Sequence, residues 1–196
     1  MTAKGHLIFA MAMAIFAKRA HLTPVITHGD WWHIIPSALL TSLLPDLDHP
    51  HSTLGRRLKW LSYPLRYFFG HRGFTHSILV VAVSIAIFHQ AVTINLQYLL
   101  PADVLHGMII GYISHLIADF ITPYGIPLLW PWRRRFRLPL IKFQKVKNSE
   151  RLFCLAFTGI AIIMPLSSSF YLSVANINMH CFFKILYILQ RLLHYF

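Results

Sequence analysis

Apolar residues run along this chain in blocks, and the polar residues collect at the block ends. The blocks are longer than ordinary strands and show no sustained alternation, so the reading is helical throughout. Gly5–Ala20 is the first block. Asp30–Leu44 is the second, opening on "DWWH", whose Trp31 and Trp32 suit a membrane interface. Thr75–Ala91, "THSILVVAVSIAIFHQA", is the cleanest apolar run. Ala102–Ile121 is entered through Pro101 and closed before Pro123. Leu152–Tyr171 is the fifth. The last segment, Cys181–Phe196, is amphipathic, with Lys184 and Arg191, and fits a membrane surface. No internal repeat or low-complexity linker divides these blocks. The expected fold class is all-α: a multi-pass membrane protein with four to five membrane-embedded helices. It forms one domain over residues 1–196, with a motif-bearing core at about 1–132, a basic loop at 132–151, and a membrane helix and amphipathic tail at 152–196. Several blocks fall short of the roughly 20 residues that span a bilayer, which implies tilted or half-embedded helices.

Composition strengthens the membrane reading. Apolar residues make up 56% and charged residues 12% of the chain, against about 25% charged in soluble domains. The mean hydropathy is +0.56. Eighteen Lys and Arg oppose six acids, for a net charge of +12. Such basicity can indicate nucleic-acid binding, but the bases sit in blocks between apolar runs, so no nucleic acid is expected. Pro50–Gly73 carries Arg56, Arg57, Lys59, Arg66 and Arg72, and Trp132–Arg151 carries eight more. The link at Val92–Pro101 has none. The positive-inside rule puts both basic loops in the cytoplasm. Lys18 and Arg19 then lie on the opposite side, which snorkelling can accommodate. Cys154 and Cys181 form no metal-binding spacing. The first block resembles a signal peptide, with alanines that would suit cleavage. His6 argues for a retained helix.

Polar groups that are costly in an apolar helix now fall into a pattern. His6 opens the first helix. "LLPDLDHP" closes the second with Asp46 and Asp48. "GHRGFTHS" opens the third with His71 and His76, and Gly70 and Gly73 allow tight turns there. His115 and Asp119 lie near the end of the fourth. Alternating helix directions bring all four groups to the cytoplasmic end. His115 and Asp119 are spaced i, i+4 and share one helix face. Gly107 and Gly111 precede them, a small-residue stripe that admits a neighbouring helix. Asp46 and Asp48 would face together only in an extended turn, which Pro50 favours at His49. Thr75 is placed to cap the third helix. Neutral imidazoles with carboxylates suit zinc, manganese or iron(II). Arg72 suits a phosphate or a leaving oxygen. Other polar residues have simpler roles. Asp103 and Asp30 read as helix caps, and most remaining histidines as surface or interfacial groups. Taken alone, His115 and Asp119 also fit a buried ion pair.

These motifs, with "GYISHLIADFITPYGIPLLWPW", resemble the YdjM-like family of bacterial inner-membrane proteins described as membrane-bound metal-dependent hydrolases. The resemblance runs from "AKGHLIFA" to about Trp132. It implies a bacterial inner-membrane location, a divalent metal and a hydrolytic activity. The family label also mentions contact with the repressor LexA, for which no residue pattern is evident here. A more distant likeness is to zinc-dependent phospholipases C and P1-type nucleases, all-helical proteins with a His-xxx-Asp pair on one helix. It implies that His115 and Asp119 are ligands, together with Asp48 or Asp46, His71 or His76, and His6. No further His-xxx-Glu element follows Asp119, so one or two ions are expected in place of a trinuclear site.

The expectation is therefore a membrane-bound hydrolase with a metal site at the cytoplasmic face. Its ligands are drawn from His6, Asp46, Asp48, His71, His76, His115 and Asp119, and its catalytic residues are Asp48, Arg72 and Asp119. Membrane lipids are the expected partners, and an anionic lipid or phosphoester the expected substrate. The alternatives are a metal or proton carrier, and a structural or regulatory protein whose His–Asp contacts lock helices.

Overall fold

Two glycines decide how the helices meet. In the computed structural model, a Cβ added at Gly107 would lie 2.1 Å from Ser37 Oγ, and one at Gly111 would lie 2.1 Å from the Ala38 carbonyl oxygen. Two helices therefore approach backbone to backbone, as the small-residue stripe predicts. They are α3 (Trp31–Thr41) and α6 (Ala102–Phe120). Thr41 Oγ1 also donates to the Met108 carbonyl at 2.8 Å, across the gap.

The structure describes residues 1–69, 73–93, 100–132, 134–138 and 149–163. Among them the chain is all-helical apart from one antiparallel bridge, Ile126 to Phe136. Helix α1 (Ala3–Arg19) runs through the centre and touches α3, α6, α7 (Ser149–Ile163) and the short α2 (Pro24–His28). Its alanines make this contact close. Ala14 and Ala17 pack with Ile26, Ile34 and Ala38, while Phe9 packs with Ala118 and Cys154. A helix apolar on most sides is stable only when surrounded, and α1 is. Lys18, at its far end, donates to the Gly29 carbonyl and lies over the Trp31 ring. It finds its partners within the protein.

The second block ends earlier than expected, at Thr41, and Pro45–Asp48 forms a 3-10 helix instead of an extended turn. Proline at the first position of that turn favours it, and His49 then becomes extended before Pro50 (φ −108°, ψ 104°). The third block is also split. Phe74–His76 is a 3-10 turn, Ser77 is extended, and α5 runs Ile78–Thr93. Thr75 therefore does not cap α5. The stretch expected as a basic loop contains a helix, α4 (Lys59–Phe69). Asp30 stands at the N-cap position of α3 without a side-chain cap bond. Asp103 instead ties the start of α3 to α6: its Oδ2 accepts from Asp30 N at 2.9 Å and from His33 Nδ1 at 2.9 Å.

No helix among the described residues is long and apolar enough to cross a membrane. The expected multi-pass arrangement thus has no spanning helix in this part of the chain. The C-terminal tail, Arg133, and the lysines at 142, 145 and 147 lie outside the described residues.

Candidate metal centre

Four helix ends meet at one end of the bundle. They are the start of α1, the 3-10 turn after α3, the 3-10 turn before α5, and the last turns of α6. Each carries one or two of the expected residues, so His6, Asp46, Asp48, His76, His115 and Asp119 come together. All but Asp46 are fully buried; the Asp46 side chain is 20% exposed. His71 and Arg72 lie outside the described residues. His49 and His51 pair edge to face with each other, with ring centroids 5.6 Å apart.

The donor atoms converge. His115 Nε2 lies 3.3 Å from His76 Nε2 and 3.9 Å from Asp46 Oδ1. His76 Nε2 lies 3.9 Å from both Asp46 Oδ1 and Asp119 Oδ2. His6 Nε2 lies 3.3 Å from Asp119 Oδ1, and the His6 ring stacks on His115 at 3.8 Å. A tetrahedral ion with ligands at about 2.1 Å separates its donors by roughly 3.4 Å. Among the described residues two sets fit such an ion, His6–Asp46–His115 and His76–His115–Asp119, each with its donor atoms within 4.8 Å of one another. The sets share His115. A neutral imidazole nitrogen has one lone pair, so both sets cannot be filled by separate ions through that atom.

The partners of each ring assign its tautomer. His115 Nδ1 lies 2.6 Å from the Ser42 carbonyl oxygen, to which it must donate. Its Nε2 therefore carries the lone pair. Thr75 Oγ1 gives its proton to Asp48 Oδ2 at 2.7 Å and accepts from His76 Nδ1 at 3.1 Å. His76 Nε2 is then also a lone pair. Two acceptors thus face each other at 3.3 Å in a buried site. A proton between them would make one ring an imidazolium. Burial opposes this at His115: together with the neighbouring His6 and His76 rings, it holds that pKa well below the usual histidine value. Burial would raise the Asp119 carboxyl, but the His6 hydrogen bond, the Met1 ammonium 2.7 Å away and His115 outweigh it and keep it ionised. The buried His6 Nδ1 has no hydrogen-bond partner. Lone pairs, an ionised carboxylate and an orphaned nitrogen form a cation-seeking donor set.

Asp48 stands apart from that set. Its Oδ2 approaches the Nδ1 side of His76, at 3.6 Å, while Asp46 approaches the Nε2 side. The 3-10 turn explains the split, because residues two apart on it point different ways. Carboxylates behind a ligating histidine fix its ring and tautomer. Three contributors were missed in the sequence: the Ser42 carbonyl, the Thr75 hydroxyl, and Tyr112, whose hydroxyl donates to the Thr75 carbonyl. A backbone carbonyl leaves no sequence signal. Thr75 had one, its place beside His76, but a threonine before an apolar run reads first as a cap.

Among its described residues the molecule is thus all-helical, with a buried histidine–aspartate cluster at one end of its bundle. The profile of the family described as "YdjM inner membrane protein" matches residues 1–194. Over 165 residues the chain is 56% identical to the inner membrane protein YdjM of Escherichia coli (strain K12), covering 84% of this chain and 83% of that protein. The same figures hold for YdjM of Shigella flexneri. The uncharacterized protein YvsG of Bacillus subtilis (strain 168) is 34% identical over 141 residues, covering 71% of this chain and 79% of its own. No solved structure matches. The chain belongs to the YdjM inner membrane protein family, and its location is the inner membrane.

Proposed function

We propose that this protein is a membrane-bound, metal-dependent hydrolase with one divalent ion held among His6, Asp46, His76, His115 and Asp119. The observation that carries the reading is the 3.3 Å approach of His76 and His115 through nitrogens that both carry lone pairs. Zinc suits the mixed imidazole and carboxylate donors best, with manganese and iron(II) as alternatives. Such an ion supplies Lewis acidity and an activated water. The chain's own groups do the rest. The Ser42 carbonyl holds His115, and Asp48 with Thr75 holds His76. Asp46, the partly exposed carboxylate, would meet water at the site and accept its proton. Arg72 neutralises a phosphoryl oxygen. The His-xxx-Asp pair on one helix resembles that of zinc-dependent phospholipases C and P1-type nucleases, and on that likeness phosphoesters and lipid head groups are the first substrates to try. The basic segment beside the cluster favours anionic ones.

Elemental analysis of the purified chain tests this first. About one tightly bound ion per chain is expected, lost in His115→Ala. Turnover of a phosphoester should then vanish in Asp119→Ala while far-UV circular dichroism stays unchanged. A wild type that takes up no metal would leave a His–Asp lock between helices. Metal flux into liposomes without turnover would mean a carrier.

A further inference from the structure

Helix α4 presents aromatic rings to the outside. Trp60, Tyr63, Pro64, Tyr67 and Phe68 are spaced i, i+3, i+4, i+7 and i+8, one face of a helix. All five are exposed, Trp60 at 73% and Tyr67 at 85%. The opposite face, Leu61, Ser62 and Leu65, is turned inward, where α4 meets the 3-10 turn that carries Asp46 and Asp48. Lys59 and Arg66, seven apart, line one edge of the aromatic stripe, and Arg56 and Arg57 precede it. No acidic residue occurs between Asp48 and Asp103.

Water is a poor neighbour for four such rings, so something covers them. A second copy of this chain would bring two basic edges together, and like charges oppose that pairing. Tyrosine and tryptophan are at home where apolar chains meet head groups, and arginine and lysine pair with lipid phosphates. We propose that α4 lies flat in the head-group layer of the membrane. Its aromatic stripe sinks roughly 5–10 Å toward the acyl chains, and its basic edge pairs with anionic phospholipid. This helix docks the buried cluster against the membrane surface. The inference stands on the family's inner-membrane location and not on the metal reading.

The test uses the full chain reconstituted into vesicles of phosphatidylcholine, with or without phosphatidylglycerol. The fluorescence of Trp60 is isolated as the parental signal minus that of Trp60→Phe. Tyr67→Trp adds an independent reporter on the same stripe should Trp60→Phe disturb the fold. Both reporters should be quenched by lipids brominated along the acyl chains and shielded from acrylamide. Lipid quenching should be several-fold stronger with phosphatidylglycerol present. That gain should disappear when Arg56, Arg57, Lys59 and Arg66 are all changed to Gln. Quenching by acrylamide alone would overturn the proposal by leaving the stripe in water. Quenching by neither agent would overturn it in favour of a covering protein. Equal lipid quenching in both vesicles would overturn the role of the basic edge.

Discussion

Asp48 and Thr75 provide the sharpest test of how the cluster is built. If Asp48 supports His76 and is not itself a ligand, removing the support should weaken metal binding without removing a site. Thr75→Val deletes the hydroxyl that sits 2.7 Å from Asp48 Oδ2 and 3.1 Å from His76 Nδ1. Asp48→Asn removes the charge behind that hydroxyl. Loss of an outer partner of a ligating histidine typically costs about 10–100-fold in metal affinity, or about 1.4–2.8 kcal/mol. The folded state also loses a charge-assisted bond worth about 1.5–3 kcal/mol, so circular dichroism must first show that each variant folds. Competition with a chromophoric chelator then measures Kd, and elemental analysis measures stoichiometry. Both single variants should keep the stoichiometry and bind about 10–100-fold more weakly. Thr75→Ser, which keeps the hydroxyl, should bind like the parent. The two residues act through one network, so the double variant should lose little more than the worse single one. Affinity unchanged within about twofold would refute the supporting role. Loss of the ion itself in Asp48→Asn would refute it in the other direction and make Asp48 a ligand.

Three further outcomes follow from the geometry. Gly111→Ala places a Cβ 2.1 Å from the Ala38 carbonyl oxygen and 2.3 Å from Thr41 Oγ1; α3 must move, and thermal unfolding should reveal a loss of about 1–3 kcal/mol. Asp103→Ala removes the acceptor of Asp30 N, His33 Nδ1 and Val104 N. It should lower stability by about 1–3 kcal/mol yet leave metal binding intact, because sixteen residues of helix put Asp103 roughly 24 Å from Asp119. Metal added at about a hundred times Kd should stabilise the parent by about 2.7 kcal/mol; a chelator should reverse the shift in melting temperature, and His115→Ala should not respond.

Residues that act through helical spacing were legible in the sequence. His115 and Asp119 share a face because they are four apart, and Gly107 and Gly111 could be recognised as a packing stripe because their small size is the message. Alternation of helix direction was enough to gather His6, Asp46, His76 and the α6 pair at one end. Turns were harder, because their geometry depends on which backbone bonds close. Asp46 and Asp48 looked like equals in an extended segment. The 3-10 turn instead gives them opposite sides of one imidazole, and with that different chemistry.

Helix α4 shows how one strong signal can hide another. Five basic residues within Pro50–Gly73 marked the segment as a cytoplasmic loop. The same stretch held four aromatic residues and Pro64 on one face at helical period. The two signals do not compete. A proline in the middle of a helix forfeits one backbone bond, and that loss is tolerable where the helix lies on a surface. Basic residues at the edge of an aromatic face are what a helix needs when one side meets acyl chains and the other meets phosphates. Charge that marks the cytoplasmic side of a membrane and charge that holds a helix onto it are the same physical interaction, acting through the anionic surface. If α4 lies on the bilayer as proposed, its basic edge is the anchor there, beside the turn that carries Asp46 and Asp48.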